Sequence, residues 1–222
     1  PMFPEGDPDS AANKTQRQFQ WASIRSMAKR MASESGKPSS SLLSVFFLAK
    51  WRDLGGLPAQ TKDRVDNIRK NKRYMIYVHS KYMMIDDRFA IIGSANLNER
   101  SLNGARDSEI AVGIWPSSDK DAAEVVQECT KFRMSLLQEH LGPAFDPARL
   151  ADLSSPQAIN HIREAATENY RAFREGRFDA SKHGHLCLWP QAIVDDVAIK
   201  LSDRSKAPEG DEFLPDMPSG LT

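Results

Sequence analysis

Four side chains that could handle a phosphate group lie close together in the sequence: His79, Lys81, Ser94 and Asn96. An imidazole can attack phosphorus or carry a proton, an ammonium neutralises negative charge, and hydroxyl and carboxamide groups donate hydrogen bonds. Residues two apart on extended backbone point to the same face of a sheet, so His79 and Lys81 should project together. Ser94 and Asn96 should do the same if their backbone stays extended. Two neighbouring strands would then present these groups around one small phosphate pocket.

The aspartate of the same pattern, Asp86, is expected to fix a turn or a neighbouring backbone, because in an unbroken strand it faces away from Lys81. A lone histidine in a strand is more often structural than catalytic. The pattern His-x-Lys-x-x-x-x-Asp alone arises by chance in roughly 1% of chains this long, and the Gly-Ser-x-Asn sequence at 93–96 makes such a coincidence much rarer. A metal site is the weaker interpretation, since no second His or Cys stands at ligand spacing from His79 and Lys81 would repel a cation.

The elements that must position these residues are predicted from hydrophobic spacing, turn residues and capping residues. Asp86, Asp87 and Arg88 predict a turn. Strands are predicted over 42–50, 74–81, 82–85, 89–93, 109–115, 186–189 and 194–201. Helices are predicted over 13–32, 119–141 and 156–174, the last two capped by Ser118 and Ser155 and ended by Gly142 and Gly176. Loops are predicted over 51–73, with one helical turn at 63–70, and over 96–107. Because strands alternate with helices, we expect an α/β fold with a mixed β-sheet flanked by helices.

The composition is that of an ordinary globular chain. Of 222 residues, 40% are hydrophobic and 27% charged, which excludes disordered and collagen-like classes. The 30 basic and 30 acidic residues cancel, so we expect no nucleic-acid partner. Two cysteines cannot form a disulfide framework, which favours a reducing, cytoplasmic compartment. The longest apolar run, at 42–49, is far too short to cross a bilayer.

The stretch IYVHSKYMMIDDRFAIIGSANLNERSLNGARDSEIAVG, residues 76–113, closely resembles the second HKD motif of eukaryotic phospholipase D. Other segments resemble the same family: PMFPEGDP at the start, RMSLLQEHLG at 133–142, the helix at 155–174 and FLPDMP near the end. The resemblance implies one half of the two-lobed phospholipase D fold. It further implies a second-HKD catalytic half-domain over 1–150, with a C-terminal helix and extended tail over 151–222 packing on it.

The resemblance also implies a role for each site residue. In the family, two HKD motifs meet at one active site, where one histidine attacks phosphorus and the other protonates the leaving alcohol. His79 lies in the second motif and is therefore expected to act as general acid and then as general base. Lys81 and Asn96 would hold the phosphoryl oxygens. Glu109 would orient the histidine and raise its pKa, with Asp107 as the second choice.

Two arginines, Arg100 and Arg106, flank the polar loop beside the proposed site. They could contact the lipid head group or phosphate, and a pair of solvated or ion-paired arginines is an equally good interpretation. The implied substrate is phospholipid at a membrane surface, so we expect peripheral membrane association. No cofactor or metal is assigned to this chain, and any calcium would act through parts outside it.

The sequence departs from the family in one large respect, because His-x-Lys-x-x-x-x-Asp occurs only once. We therefore expect either a fragment, which we favour, or a homodimer that builds a full site, and little turnover by the chain alone. The expected reaction converts phosphatidylcholine to phosphatidic acid and choline through a phosphohistidine. The alternatives are nuclease-like or other phosphodiester cleavage within the same superfamily, and a non-catalytic half-site that serves as an interaction module.

Overall fold

A computed structural model of the chain describes residues 11–51 and 73–189. The predicted helical turn at 63–70 and the predicted strand at 194–201 lie outside these residues. The described elements, in chain order, are α1 (Ala11–Ser35), α2 (Ser39–Leu42), β1 (Phe46–Trp51), β2 (Arg73–Met75), β3 (Lys81–Ile85), β4 (Phe89–Gly93), α3 (Glu99–Leu102), β5 (Ala111–Ile114), α4 (Ala122–Leu141), a 3-10 turn (Gly142–Ala144), α5 (Pro156–Glu175) and β6 (Leu186–Leu188).

The predicted class, α/β with helices flanking β-sheet, is confirmed. The described strands form two antiparallel three-stranded sheets, ordered β2-β1-β6 and β3-β4-β5. Each sheet belongs to its own compact unit: one unit contains residues up to 77 and from 140 onward, and the other contains residues 78–139. The domain boundary predicted between residues 150 and 151 stays a prediction.

The core of the first unit is aromatic. Phe47 on β1 meets the rings of Tyr170, Phe173 and Trp189 edge to face, with centroids 6.1, 6.1 and 6.4 Å apart. Such ring pairs contribute about 0.5–1.5 kcal/mol each beyond the area that they bury. Because Tyr170 and Phe173 lie on α5 and Trp189 follows β6, these contacts hold that helix and that chain segment against β1.

Helix α5 begins and ends where its capping residues predict. The Ser155 hydroxyl accepts a hydrogen bond from the Ala158 backbone N–H at 3.2 Å, and Pro156 occupies the first turn, where its missing N–H costs nothing. Gly176 ends the helix with a left-handed φ of 68°, and its N–H bonds back to the last turn. These local signals were sufficient to predict both ends.

The second unit is built on a hairpin with a tight turn. Ile85 on β3 pairs with Phe89 on β4, and Asp86 and Asp87 between them hold φ at 52° and 51°. The Arg88 N–H donates to the Ile85 carbonyl at 3.0 Å and closes the turn. Aspartate tolerates positive φ better than most side chains, which explains why two aspartates occupy these positions. The predicted turn is thus confirmed.

An ion pair fixes this turn to helix α4. Arg133 donates to the Asp87 carboxylate from Nε at 2.8 Å and from Nη2 at 2.8 Å, and the Thr130 hydroxyl donates to it at 3.0 Å. These bonds from Arg133, more than any other cause, hold the pKa of Asp87 below its ordinary value. Nearby, the rings of Tyr82 and Phe132 pack edge to face with centroids 5.2 Å apart.

Several predicted boundaries were wrong, and three of these differences have a clear structural cause. The predicted strand at 74–81 ends at Met75, because the chain leaves the first sheet here and enters the second unit, so residues 76–80 lie in no strand. The predicted strand at 42–50 starts later, since Ser39–Leu42 forms a helical turn. Ser118 does not cap α4; instead Asp121 accepts the Val125 N–H on its carbonyl and the N–H groups of Ser117 and Ser118 on its carboxylate.

Candidate active site

His79 and Lys81 lie at the entrance to β3. His79 precedes the strand and is exposed, and Lys81 is its first residue and is half-buried. The Lys81 ammonium donates a hydrogen bond of 2.6 Å to the His79 backbone carbonyl. This bond joins the ammonium to the backbone of His79 and not to its imidazole, and no strand contains both residues, so the shared face of the two side chains stays a prediction.

The register of the sheet brings two other segments to the same end. Lys81 on β3 pairs with Gly93 on β4, and Gly93 pairs with Ala111 on β5. A β-carbon added to Gly93 would lie 2.7 Å from the Ile110 carbonyl oxygen, a distance too short for any side chain. Glycine at this position therefore allows the close strand approach that places Ser94, the next residue, beside the start of β5.

Ser94 and Glu109 form the centre of this end of the sheet. The Ser94 hydroxyl donates to the Glu109 carboxylate at 2.5 Å and accepts the Ile110 N–H at 3.0 Å. The Ser94 N–H also donates to the Ile110 carbonyl at 2.9 Å and extends the strand pairing by one residue. Both side chains are exposed, so a ligand can reach them.

The Glu109 carboxylate is held in its ionised form. Hydrogen bonds from the Ser101 and Ser94 hydroxyls are the main causes that lower the pKa of Glu109, and the positive charges of Lys81 and Arg100 lower it further. A carboxylate that stays ionised is suited to stabilise a neighbouring imidazolium. The predicted role of Glu109 in orienting His79 stays a prediction.

Asn96 lies in the polar loop that follows β4. Its backbone N–H donates to the Ser101 hydroxyl at 3.1 Å, and its carbonyl accepts the Asn98 N–H at 2.9 Å. Asn98 then caps the short helix α3, since its side chain accepts the Ser101 N–H at 3.0 Å. The loop is therefore a hydrogen-bonded structure that leaves the Asn96 side chain exposed.

The two arginines of the site loop are ion-paired. Arg100 donates to Asp107 from Nε at 3.0 Å, and Arg106 lies 3.6 Å from the other oxygen of the same carboxylate. This matches the ion-paired interpretation of the two arginines, and their contact with substrate stays a prediction. Asp107 was the second choice for orienting the histidine, and its carboxylate is paired with these two arginines instead.

Asp86 is exposed on the hairpin turn, at the far end of β3 from Lys81. Asp86 therefore lies in a turn, as expected, while its part in the reaction stays a prediction. Within residues 11–51 and 73–189 no cluster of three His, Cys, Asp or Glu side chains suits a metal ion. None of the helices in the same parts of the chain is long and apolar enough to cross a bilayer.

Two residues of this unit were missed by sequence reasoning. Ser101 stands three positions after Asn98, the spacing at which a helix cap receives a backbone N–H, and that pattern could have indicated α3. Asp87 was recognised only as a turn residue. Its partner Arg133 is remote in sequence, so no local pattern could have predicted their ion pair.

Comparison with known proteins decides the family. The family model described as phospholipase D matches residues 1–214. The chain belongs to the phospholipase D family. Phospholipase D alpha 1 of Vigna unguiculata is 31% identical over 228 residues, and from Arabidopsis thaliana phospholipase D delta is 32% identical over 220 residues and phospholipase D alpha 2 is 33% identical over 229. These alignments cover 97%, 94% and 97% of this chain but 27%, 25% and 27% of the relatives, so the chain spans about a quarter of their length.

The matched region of this phospholipase D family member includes every predicted site residue, from His79 to Glu109. The family predicted from the stretch at 76–113 is therefore confirmed. The sequence carries one His-x-Lys-x-x-x-x-Asp pattern, where the resemblance implies two.

Proposed function

We propose that this chain supplies the second half of a phospholipase D site that hydrolyses glycerophospholipids, with phosphatidylcholine yielding phosphatidic acid and choline. The observation that carries the proposal is the gathering of Lys81, Ser94 and ionised Glu109 at one end of a sheet, next to His79, in a chain of this family. The other half comes from a further part of the same polypeptide or from a second copy.

His79 moves protons in the proposed reaction. The histidine of the other half attacks phosphorus, a P–N bond forms, and the P–O bond to the head group breaks as His79 protonates the leaving alkoxide. His79 then takes a proton from water, whose oxygen attacks phosphorus and breaks the P–N bond. A competing alcohol in place of water gives transphosphatidylation. Glu109, which is ionised, stabilises the imidazolium form of His79, which is present before the first step and restored by the second.

Lys81 and Asn96 stabilise the negative charge of the phosphoryl oxygens in the proposed reaction. The ammonium of Lys81 lies at the His79 backbone and is half-buried, where its charge is less screened than on an open surface. The exposed carboxamide of Asn96 supplies a neutral hydrogen-bond donor. The same proposal places this reaction at a membrane surface in the cytoplasm.

The decisive experiment measures choline release from short-chain phosphatidylcholine. The chain alone is assayed over a range of concentrations, and then together with a co-expressed polypeptide that carries the first His-x-Lys motif. A rate that grows with the square of the chain concentration supports the homodimer, and a rate seen only with the second polypeptide supports the two-part site. In either case His79→Asn should abolish release, and full activity of that variant would refute the assignment of His79.

Two matched variants separate the charge of Lys81 from a general effect of lysine loss. Lys81→Met removes the ammonium next to His79, whereas Lys131→Met removes an exposed lysine paired with Glu128 on α4 of the same unit. We expect the first to lower kcat at least a hundredfold and the second to leave it unchanged. Cleavage of a nucleic acid but not of phospholipid would favour the nuclease alternative, and no cleavage in any arm would favour the interaction module.

A further inference from the structure

The main chain of Asn96 is held by a closed network of three hydrogen bonds. Its N–H donates to the Ser101 hydroxyl at 3.1 Å, and its carbonyl accepts the Asn98 N–H at 2.9 Å. The Asn98 side chain closes the network, because its oxygen accepts the Ser101 N–H at 3.0 Å. Both polar groups of the Asn96 main chain are thus bonded to residues that are also bonded to each other.

This network is anchored on both sides of Asn96. On one side, Asn98 is the N-cap of α3, and its carbonyl accepts the Leu102 N–H at 3.1 Å. On the other side, Ser94 is joined to the sheet, since its N–H donates to the Ile110 carbonyl at 2.9 Å. Asn96 therefore lies midway between an anchored strand end and a capped helical turn.

The carboxamide of Asn96 is left free for a ligand. It is exposed, and it makes no hydrogen bond within residues 11–51 and 73–189. Because the main chain is fixed, only the two side-chain torsions of Asn96 remain to be set when a phosphoryl oxygen binds. A group held in place beforehand loses less conformational entropy on binding, and a misplacement of about 1 Å can lower a rate a hundredfold.

We infer that Asn98 and Ser101 are positioning residues of this site, which fix the main chain of Asn96 and so hold its carboxamide ready for a phosphoryl oxygen. The inference rests on the proposed function, because the two residues take their importance from the role of Asn96 there. Neither needs to contact substrate. The Asn98 side-chain oxygen is bonded to the Ser101 N–H, and the half-buried Ser101 hydroxyl is bonded to the Asn96 N–H.

The test uses variants that each break the network at one bond. Asn98→Ala removes the acceptor of the Ser101 N–H, and Ser101→Ala removes the acceptor of the Asn96 N–H. Asn98→Ser is the conservative variant, since serine caps a helix about as well as asparagine and adds no charge. Asn103→Ala is the matched control, because Asn103 is exposed at the other end of α3 and its carboxamide donates to Glu99 at 3.1 Å, outside the network.

The first measurement is the hydrogen-exchange rate of the Asn96 amide, followed by NMR in the full chain. In Ser101→Ala we expect roughly fivefold faster exchange, as is typical when one hydrogen bond is lost. Asn98→Ala should give a smaller increase, because it loosens the helical turn that carries the acceptor. Asn98→Ser and Asn103→Ala should both exchange like wild type. An unchanged Asn96 exchange rate in Ser101→Ala would overturn the inference.

The second measurement is a double-mutant cycle on choline release by the assembled enzyme. We expect Asn98→Ala to lower kcat roughly tenfold with little change in KM, and Asn98→Ser to restore the rate. In an Asn96→Ala background there is no carboxamide to position, so Asn98→Ala should lower kcat no further. A residue that only stabilised the fold would lower kcat by the same factor in both backgrounds, and that result would refute the positioning role.

The two measurements distinguish failure of this inference from failure of the proposed function. If the wild-type enzyme releases no choline while Ser101→Ala still speeds exchange of the Asn96 amide, the proposed function fails and the network around Asn96 stands. If choline is released and the two substitutions act independently on kcat, the proposed function stands and the positioning role fails.

Discussion

The ion pair between Asp87 and Arg133 should be one of the strongest single contributions to the stability of the unit at 78–139. The side chains are only 12% and 19% exposed, and Arg133 reaches both carboxylate oxygens, at 2.8 and 3.0 Å from Nε. Breaking a fully buried pair costs about 3–5 kcal/mol, and breaking an exposed one about 0–1 kcal/mol. For exposures this low we expect Asp87→Asn to cost about 2–3 kcal/mol. Asparagine also tolerates positive φ, so the turn itself is not strained by this change.

The assay is urea unfolding followed through the amide NMR signals of β3 and β4, which report on this unit alone. Lys131→Met is the control, because Lys131 lies in the same unit, is 60% exposed in its pair with Glu128 and should contribute about 0.5 kcal/mol or less. The pH dependence gives a further check. Since Arg133 lowers the pKa of Asp87 below 3.8, the stabilisation is fully present above that pH and is lost as the pH falls through the lowered pKa.

Two results would refute this reasoning. One is an Asp87→Asn variant that loses no more stability than Lys131→Met at neutral pH. The other is a stability difference between wild type and Asp87→Asn that persists unchanged when the pH is lowered well below 3.8, since protonation of Asp87 should remove the charge that the variant lacks.

Two further substitutions test the positions of single atoms. Gly93→Ala should destabilise the sheet of the second unit by about 2 kcal/mol or more, because the new β-carbon would lie 2.7 Å from the Ile110 carbonyl oxygen, and the same urea titration measures this loss. Gly93→Ala with unchanged stability would contradict the close approach of β4 and β5. Ser155→Ala should cost about 1 kcal/mol by removing the cap of α5, measured as a lower midpoint of thermal unfolding, and an unchanged midpoint would show that the cap contributes nothing.

The elements that were predicted well are those with local signals at both ends. Helix α5 was recovered because Ser155, Pro156 and Gly176 each satisfy a backbone requirement of a helix end. Strand β4 was recovered at 89–93 because an aspartate turn precedes it and Gly93 ends it. In both cases the residues that decide the structure lie within one turn of the boundary that they set.

The features that the sequence could not predict depend on contacts between distant segments. The predicted strand at 74–81 divides because Met75 pairs with Ala49 on β1, while Lys81 pairs with Gly93 on β4. Hydrophobic spacing reports that a segment suits a strand, but it does not report which partner the segment chooses. The same limit applies to the Asp87–Arg133 pair, and the roles of the site residues came from the family resemblance, not from spacing.

The arrangement of the candidate site follows from strand register more than from the spacing of the motif. His79 and Lys81 were expected to share a face because one strand would contain both, yet β3 begins only at Lys81. The row formed by Lys81, Gly93 and Ala111 instead brings the three segments together, and a slip of one residue would turn every side chain of a strand to the opposite face. The hairpin turn and its tie to α4 oppose such a slip from the far end of β3. The contacts that stabilise the turn therefore also keep the strand register on which the geometry of the site depends.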